Sequence, residues 1–504
     1  MARPMAETGP NILLLMTDQQ RYDSLGCYGA EFAHTPNLDR LAAEGALFER
    51  CYVNNPICTP SRASLFTGKH LHGHGVYRLY DNLPEDEVLF PERLQALGYT
   101  TALFGKLHVS SRGYEETRRH PHDGFDIYEW CMEGGLAMDS PYQAYAAWLK
   151  EHFPDFYARL EAEFRDVLHH PAECHMTHWA AERAIDFIDQ WDGAKPFFCM
   201  ASIFDPHNPY EDFPLEMAEL VNEEGIPDPR VVEGEFAGKP PELLREHHHS
   251  YMHDFSRYSL ADLRRMRFGY HASIAFLDQE FGRVLDALER RGIADNTLVI
   301  FTSDHGDMLG DHQLLVKGAF FYDANVRVPL IMRWPERLRE PRRVSTLAQI
   351  HDLAATILTA AGTEQNEIEE AMPAALDLLP AASGEGDGGR NQAICCYRNS
   401  GLSSEAGATP YFNPAINATM LRRGQYKLNL WHGEGGASGG PRGELYDMDL
   451  DPFEQNNLWD RDEYREVRLS LTERLLDWFA RNECSLGSRG GEALPGRPLI
   501  NATR

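Results

Sequence analysis

The segment PICTPSRASLFTG (56–68) combines groups that could do chemistry with the pattern of a helix start. Cys58 precedes Pro60, Ser61 and Arg62, and this run is typical of a first helical turn. A thiol at a helix N-terminus feels the positive end of the helix dipole, which lowers its pKa and favours a nearby anion. The residues alone therefore predict either an activated thiolate beside Arg62 or a cysteine buried in the core, the commonest fate of this residue type.

Polar side chains also follow four short apolar runs that are typical of buried strands. These side chains are Asp18 and Gln19, Lys106 and His108, His207, and Asp304 and His305. Ligands of open α/β sheets bind beyond the carboxyl ends of the strands. We therefore expect one site that is assembled from segments distant in sequence.

Asp18, Asp304 and His305 could hold one divalent cation, with Gln19 adding an amide oxygen. Oxygen ligands suit Ca²⁺, Mg²⁺ or Mn²⁺, and an imidazole favours Mn²⁺ or Zn²⁺. The alternative is that the two aspartates only cap the helices that follow them. For the set as a whole, we favour the metal site.

Two lysines and two histidines supply the remaining chemistry. Lys106 and His108 are two residues apart, and in extended backbone such residues point the same way. A lysine neutralises an anionic oxygen, and a histidine moves a proton near neutral pH. His207 and Lys317 offer the same two functions. Each of the four could instead be a solvated surface residue, and their shared sheet edge favours a common pocket.

The elements that must position these residues alternate between buried strands and amphipathic helices. Strands are predicted at 11–20, 101–105, 196–204, 297–303 and 328–334, and helices at 35–45, 177–191, 262–291 and 351–361. This alternation predicts an α/β fold whose mainly parallel sheet is flanked by helices on both faces.

Composition changes mark the rest of the chain. We expect long loops at 205–255 and a second composition change at 362–392, where GEGDGGRNQ (384–392) is typical of a surface linker. Short antiparallel strands and a terminal helix at 461–482 are predicted to follow. The predicted organisation is a catalytic α/β domain at 1–375 and a smaller C-terminal α+β domain at 390–504.

Charge and cysteine usage narrow the class of protein. The 504 residues include 48 basic and 77 acidic ones, and a formal charge of −29 disfavours nucleic acid and anionic membranes as partners. Neither a secretory signal nor an apolar run long enough for a membrane helix is visible. Nine cysteines without a CxxC pair suit a reducing cytoplasm. We expect a cytoplasmic homo-oligomer.

Several motifs in order resemble those of one known family. PICTPSRASLFTG resembles the signature of type I sulfatases of the alkaline phosphatase superfamily, whose Cys-x-Pro-Ser-Arg cysteine is converted to formylglycine. GYTTALFGKLH (98–108) is similar to the second signature of that family. NILLLMTDQQ, TPNLDRLAAEG, DPHNP and TSDHGDMLGDH match further blocks, so the resemblance spans about residues 10–335.

The resemblance implies a metal-dependent arylsulfatase-like hydrolase with an alkaline-phosphatase-like fold. Its small-molecule sulfate ester is split into an alcohol or phenol and sulfate, by a hydrate oxygen of the formylglycine made from Cys58. A formylglycine-generating maturation enzyme is the implied partner. By resemblance, the converted Cys58 joins the metal ligands, which are Asp18, Gln19, Asp304 and His305.

The resemblance also implies roles for the cations and imidazoles. Arg62, Lys106 and Lys317 spread the charge on the sulfate oxygens. His108 acts as the base that completes turnover, and His207 acts as the acid toward the leaving oxygen.

The chain departs from the common family pattern at two places. Many members carry Asp-Asp where this chain has Asp18–Gln19, and Asp-Asn where it has Asp304–His305, which leaves Ca²⁺ and Mn²⁺ both open. A related branch, the phosphonate monoester and phosphodiester hydrolases, also uses formylglycine but lacks the Gly-Lys-x-His element present at Gly105–His108. A non-enzymatic alternative is a relic that binds sulfated ligands with Cys58 unconverted.

Overall fold

The computed structural model describes residues 9–164, 167–386, 388–404, 410–433 and 442–482. The strands in these ranges are β1 (Asn11–Thr17), β2 (Ala46–Tyr52), β3 (Thr100–Gly105), β4 (Ile127–Trp130), β5 (Phe197–Ser202), β6 (Thr297–Ser303), β7 (Arg327–Val328), β8 (Leu330–Arg333), β9 (Arg342–Gln349), β10 (Gln392–Arg398), β11 (Asn417–Arg423), β12 (Tyr426–His432) and β13 (Gly443–Asp447).

Helices connect most of these strands. They are α1 (Pro36–Ala43), α2 (Cys58–Thr67), α3 (Leu71–His74), α4 (Phe90–Ala96), α5 (Arg112–Glu115), α6 (Ala144–His152), α7 (Pro154–Glu163), α8 (Met176–Gln190), α9 (Pro241–His249), α10 (Leu260–Arg290), α11 (Asp323–Val326), α12 (Asp352–Ala360), α13 (Gln365–Ala371), α14 (Leu379–Ser383) and α15 (Arg465–Asn482).

The large sheet has the strand order β4-β3-β5-β1-β6-β8-β2-β7, with β9 beside β2. The first five strands in this order run parallel, and β8 is antiparallel to β6. In β1, Leu14 pairs with Met200 and Ile300, and alternate residues enter the two cores on either side of the sheet. Helices α2, α4 and α12 cover one face, and α1, α8 and α10 cover the other. The predicted mainly parallel α/β sheet is confirmed.

Three regions differ from the sequence-based expectations. The predicted strand at 328–334 is divided at Pro329 into β7 and β8 and runs antiparallel. The expected loops at 205–255 include α9. Helices α13 and α14 lie in the region of changed composition at 362–392, with Ile368 and Leu378 buried, and the expected linker GEGDGGRNQ (384–392) follows them with its described residues exposed or half-buried. Strands β2, β4 and β9 were not predicted.

The small sheet is antiparallel, with the order β10-β11-β12-β13. Its alternating side chains face two environments: Cys395 joins the main core, and Cys396 joins a cluster with Leu471 and Leu475 of α15. The terminal helix therefore packs on the small sheet, as expected. The domain boundaries at 375 and 390 stay a prediction.

Within the described ranges, helices long and apolar enough to cross a membrane are absent. The predicted cytoplasmic location stays untested.

Candidate active site

Cys58 is the first residue of α2 and is buried. The turn before it is fixed by Asn55, whose Oδ1 accepts a hydrogen bond from the backbone N–H of Ile57 at 2.8 Å. Nζ of Lys317 lies 3.7 Å from Sγ of Cys58. Burial raises the pKa of this thiol, but the charges of Lys317 and Lys106 outweigh burial and lower the pKa to about 7. The helix-start prediction is confirmed, and the thiol is acidic.

Asp18, Asp304 and His305 come together at the carboxyl ends of β1 and β6. One ligand atom of each lies within 4.8 Å of the others. Nε2 of His305 is 3.7 Å from Oδ1 of both aspartates, while its Nδ1 lies 2.9 Å from the carbonyl oxygen of Gly306. That carbonyl accepts a hydrogen bond from Nδ1, so Nε2 carries the lone pair and lies beside the two carboxylates and 3.2 Å from Nζ of Lys317.

Gln19 presents an amide oxygen in the same region. Its Nε2 donates to Oδ2 of Asp307 at 2.6 Å and to Oδ1 of Asn208 at 3.3 Å. The hydroxyl of Tyr210 donates to the same Asp307 oxygen at 2.6 Å. These bonds fix which end of the amide is nitrogen, and they leave Oε1 of Gln19 as the end available to a ligand.

The donor set fits a divalent cation. Oδ1 of Asp18 and Oε1 of Gln19 are buried, and neither finds a hydrogen-bond partner among the described residues. Buried polar atoms are almost always paired, so two such oxygens beside an imidazole lone pair indicate a cation as the missing partner. All four residues predicted as metal ligands lie in this group, with Cys58 beside them.

Arg62 lies behind the metal-binding group. Its guanidinium donates to Oδ2 of Asp304 at 2.6 Å, Oδ2 of Asp18 at 3.3 Å, the carbonyl of Lys106 at 2.9 Å and Oγ of Ser202 at 3.0 Å. Arg62 is fully buried. Four of the five N–H donors of Arg62 therefore bind within the protein, two of them to the carboxylates, and its expected contact with the sulfate oxygens stays a prediction.

Two lysines place positive charge beside Cys58. Nζ of Lys106 donates to Oδ2 of Asp18 at 2.6 Å. Nζ of Lys317 lies 2.9 Å from Nε2 of His207 and 3.2 Å from Nε2 of His305. Both lysines are buried, so water screens their charge weakly. They can attract an anion despite the acidic surface of the protein.

His108 reaches the cleft through a turn. Strand β3 ends at Gly105 and His108 has φ of +57°, so the extended backbone expected after Gly105 is absent. The carboxylate of Glu115 holds this turn by accepting from the backbone N–H of His108 at 2.9 Å. Nε2 of His108 lies 3.0 Å from Oγ1 of Thr59, and Nδ1 has no partner among the described residues. Burial and the charge of Lys106 lower the pKa of His108 well below its usual value.

His207 follows β5. Its Nδ1 donates to the carbonyl of Asn208 at 2.7 Å, and its Nε2 accepts from Lys317. The imidazole lies against the ring of Phe204, with centroids 4.4 Å apart. Burial and the charge of Lys317 lower the pKa of His207 well below its usual value. The free protein therefore holds His207 neutral.

Cys58 lines a cleft of about 440 Å³ together with Lys106, His108 and His207. Apolar and aromatic side chains form much of the remaining wall, with Arg112 and Glu133 as charged members. These apolar and aromatic residues include Leu79, Tyr80, Met132, Leu136, Phe164, Tyr251 and Leu402. The cleft suits an anionic head group attached to an uncharged body.

Four neighbours of the site escaped the sequence analysis. Thr59 lies within PICTPSRASLFTG and Tyr210 directly follows DPHNP, but nothing in their spacing shows what their hydroxyls contact. Asp307 follows Asp304 by three residues, so its position in TSDHGD was a usable signal. Tyr251, whose ring lies 4.8 Å from Nζ of Lys317, comes from a histidine-rich loop without readable periodicity.

Comparison with known proteins places this site in a family. The Sulfatase family model matches residues 10–363. An arylsulfatase of Clostridium perfringens is 29% identical over 481 residues, covering 93% of each chain. An N-acetylglucosamine-6-O-sulfatase of Bacteroides thetaiotaomicron is 27% identical over 526 residues, covering 92% of this chain and 85% of the relative. The structure of a phosphonate monoester hydrolase of Agrobacterium radiobacter matches with a TM-score of 0.76 and 25% identity, covering 94% of this chain and 96% of that one.

The fold and the site together define a hydrolase of the alkaline phosphatase superfamily. Because the family model covers more than half of the chain, the chain belongs to the sulfatase family, whose members are sulfuric ester hydrolases. This assignment as an enzyme removes the alternative of a ligand-binding relic.

Proposed function

We propose that the chain hydrolyses a small-molecule sulfate ester to an alcohol or phenol and sulfate, using a formylglycine made from Cys58. The main support is the position of Cys58, which lines the cleft with Nζ of Lys317 3.7 Å from its Sγ and the metal-ligand group at the neighbouring strand ends. Of the eight described cysteines, Cys58 alone has a lowered pKa, while burial raises the pKa of the other seven. Conversion of its thiol supplies an aldehyde whose hydrate offers an oxygen nucleophile at the cleft.

The converted Cys58 and the four residues grouped beside it hold one divalent cation in this proposal. Those residues are Asp18, Gln19, Asp304 and His305. The cation supplies Lewis acidity at the reacting centre. We propose Mn²⁺ or Ca²⁺, and the imidazole nitrogen favours Mn²⁺. Arg62 positions the two carboxylates.

Lys106 and Lys317 bind the sulfate oxygens and balance the charge that develops on them. Their buried ammonium groups flank Cys58, so this stabilisation acts where water screens it least.

His108 and His207, whose imidazoles are neutral in the free protein, each carry out one of the two proton transfers. Nδ1 of His108 accepts a proton at the end of turnover, because the imidazole is neutral and this nitrogen finds no partner among the described residues. Nε2 of His207 gives a proton to the leaving oxygen in this proposal, after the neutral imidazole has taken that proton up from solvent, while Lys317 keeps its own proton and its charge for the sulfate oxygens.

A formylglycine-generating enzyme must act on the chain before turnover. We further propose a cytoplasmic homo-oligomer whose catalytic α/β domain spans 1–375 and whose smaller domain spans 390–504.

The second candidate substrate is a phosphonate monoester or phosphodiester, which the likeness to the Agrobacterium radiobacter enzyme favours. The test compares kcat/KM for an aryl sulfate and an aryl phosphonate ester that share one leaving group. We expect the aryl sulfate to be preferred, and the opposite preference would replace the proposal by the second candidate. Cys58→Ala should abolish both activities, whereas Cys51→Ala, in the buried strand β2, should leave them intact.

A further inference from the structure

A second group of metal-ligand side chains lies apart from the cleft. His170, His175 and Asp212 are each more than nine-tenths buried, and one ligand atom of each lies within 4.8 Å of the others. They come from the loop before α8, the N-cap of α8 and the loop after β5. The backbone N–H of His170 donates to the carbonyl of Asp212 at 2.9 Å, so the two loops are fixed together.

Each of the three side chains keeps one atom free of hydrogen bonds within the described part of the chain. These atoms are Nδ1 of His170, Nε2 of His175 and Oδ1 of Asp212. The other nitrogen of His170 donates a hydrogen bond to the carbonyl oxygen of Val167 at 3.1 Å, which leaves the lone pair on Nδ1. Three unpaired buried atoms that converge from separate segments point to a missing common partner.

Asp205 lies next to His175 as a carboxylate does behind a metal-binding imidazole. Oδ2 of Asp205 is 3.7 Å from Nδ1 of His175 and also accepts from the hydroxyl of Thr177. The same Nδ1 lies 3.2 Å from the backbone N–H of Thr177. With its proton on Nε2, the imidazole accepts from Thr177. To offer the Nε2 lone pair to an ion, the imidazole must carry its proton on Nδ1, which gives up the hydrogen bond from Thr177 and requires the 3.7 Å gap to Asp205 to close.

We propose that His170, His175 and Asp212 bind a divalent transition-metal ion of the Zn²⁺ class at a second, structural site. Two imidazole nitrogens with one carboxylate oxygen suit Zn²⁺ better than Ca²⁺ or Mg²⁺, which prefer oxygen ligands. The fourth position is open to water. This site shares no ligand with the site at Asp18.

The ion ties α8 to the loop 205–212, and that loop reaches the cleft. The carbonyl of Asp205 accepts from the backbone N–H of Asp18 at 3.3 Å. The same loop carries His207 and Tyr210, and Tyr210 holds Asp307. The second ion therefore supports the catalytic residues by position and takes no part in their chemistry. The inference does not depend on which ester the enzyme hydrolyses.

Zinc stoichiometry tests the site. The full chain is stripped with a chelator and titrated with Zn²⁺ alone, in an Asp304→Asn background that weakens the catalytic metal group. We expect about one tightly bound equivalent in this background and loss of that equivalent on adding His170→Gln or Asp212→Asn. His271→Gln, at a buried histidine of α10 outside the group, should retain it. Absence of tight Zn²⁺ binding in the Asp304→Asn protein would overturn the proposal.

Anomalous diffraction keeps the test independent of how the variants fold. Zn²⁺-saturated crystals of the unmodified chain, measured on both sides of the zinc absorption edge, should show a peak between the two imidazoles and Asp212. A saturated crystal without that peak would show that the group is a hydrogen-bonded cluster without an ion.

Discussion

Replacing Asp307 with alanine tests how the chain orients Gln19. Oδ2 of Asp307 accepts from Nε2 of Gln19 and from the Tyr210 hydroxyl, each at 2.6 Å. Asp307→Ala removes this acceptor and leaves Gln19 only the longer contact with Asn208 at 3.3 Å. The amide can then rotate and present its NH₂ group to the cation. This would remove Oε1 as a ligand, because only the amide oxygen can bind a metal ion.

The expected loss follows from these contacts. Removing a group that orients a metal ligand costs about 10–100-fold in metal affinity, or about 1.4–2.7 kcal/mol. Without metal, the free energy of unfolding should also fall by about 2–5 kcal/mol, because the amide of Gln19 and the hydroxyl of Tyr210 lose a buried acceptor. Tyr210→Phe is the matched control, since it removes one bond to Asp307 but keeps the acceptor of Gln19.

Metal affinity is measured by equilibrium binding over a metal-buffered series, and unfolding is followed in urea with a chelator present. Asp307→Ala should lose metal affinity, while Tyr210→Phe should lose stability alone. The reasoning is refuted if Asp307→Ala binds metal as tightly as the unmodified chain, or if both variants lose affinity equally.

Three further predictions concern the groups around Cys58. In unconverted protein the Cys58 thiolate forms as the pH rises through about 7. Lys317→Ala should raise this midpoint by roughly one pH unit, measured as the pH profile of iodoacetamide alkylation. An unchanged midpoint would show that the charge of Lys317 does not lower the pKa of Cys58. His108→Gln should lower kcat by about 10²–10⁴ yet keep a first-turnover burst of phenol, and loss of the burst would assign His108 to the first step. Arg62→Lys should weaken metal binding about 10–100-fold with KM unchanged at saturating metal. A raised KM with normal metal binding would show that Arg62 contacts the sulfate group of the substrate instead.

The central part of the fold was predictable because its strands are continuous apolar runs buried on both faces. NILLLM and TLVIFTS became the adjacent strands β1 and β6. The strands that were missed have mixed patterns: β2 carries Glu49 and Arg50 in its middle, and β9 begins with exposed arginines. Helices α13 and α14 were also missed, because the few apolar residues through which they pack, Ile368 among them, show no periodicity.

The candidate site was predictable where parallel strands bring their ends together, which placed Asp18 beside Asp304. Spacing could not reveal the direction of each side chain. The contact of Arg62 with sulfate is implied by the family resemblance, and spacing could not show that Arg62 also donates to Asp304 and Asp18. The hydrogen bond between Tyr210 and Asp307 joins two loops that are distant in sequence. Residue spacing within either loop does not predict that the two loops come into contact.

The central claim is that Cys58 becomes formylglycine. Trypsin cuts after Arg50 and Arg62, and the resulting peptide also contains Cys51, which serves as an internal control. Tandem mass spectrometry of active enzyme should place a loss of about 18 Da at Cys58, with Cys51 unchanged. An unmodified thiol at Cys58 in a preparation that fully retains sulfatase activity would contradict the account.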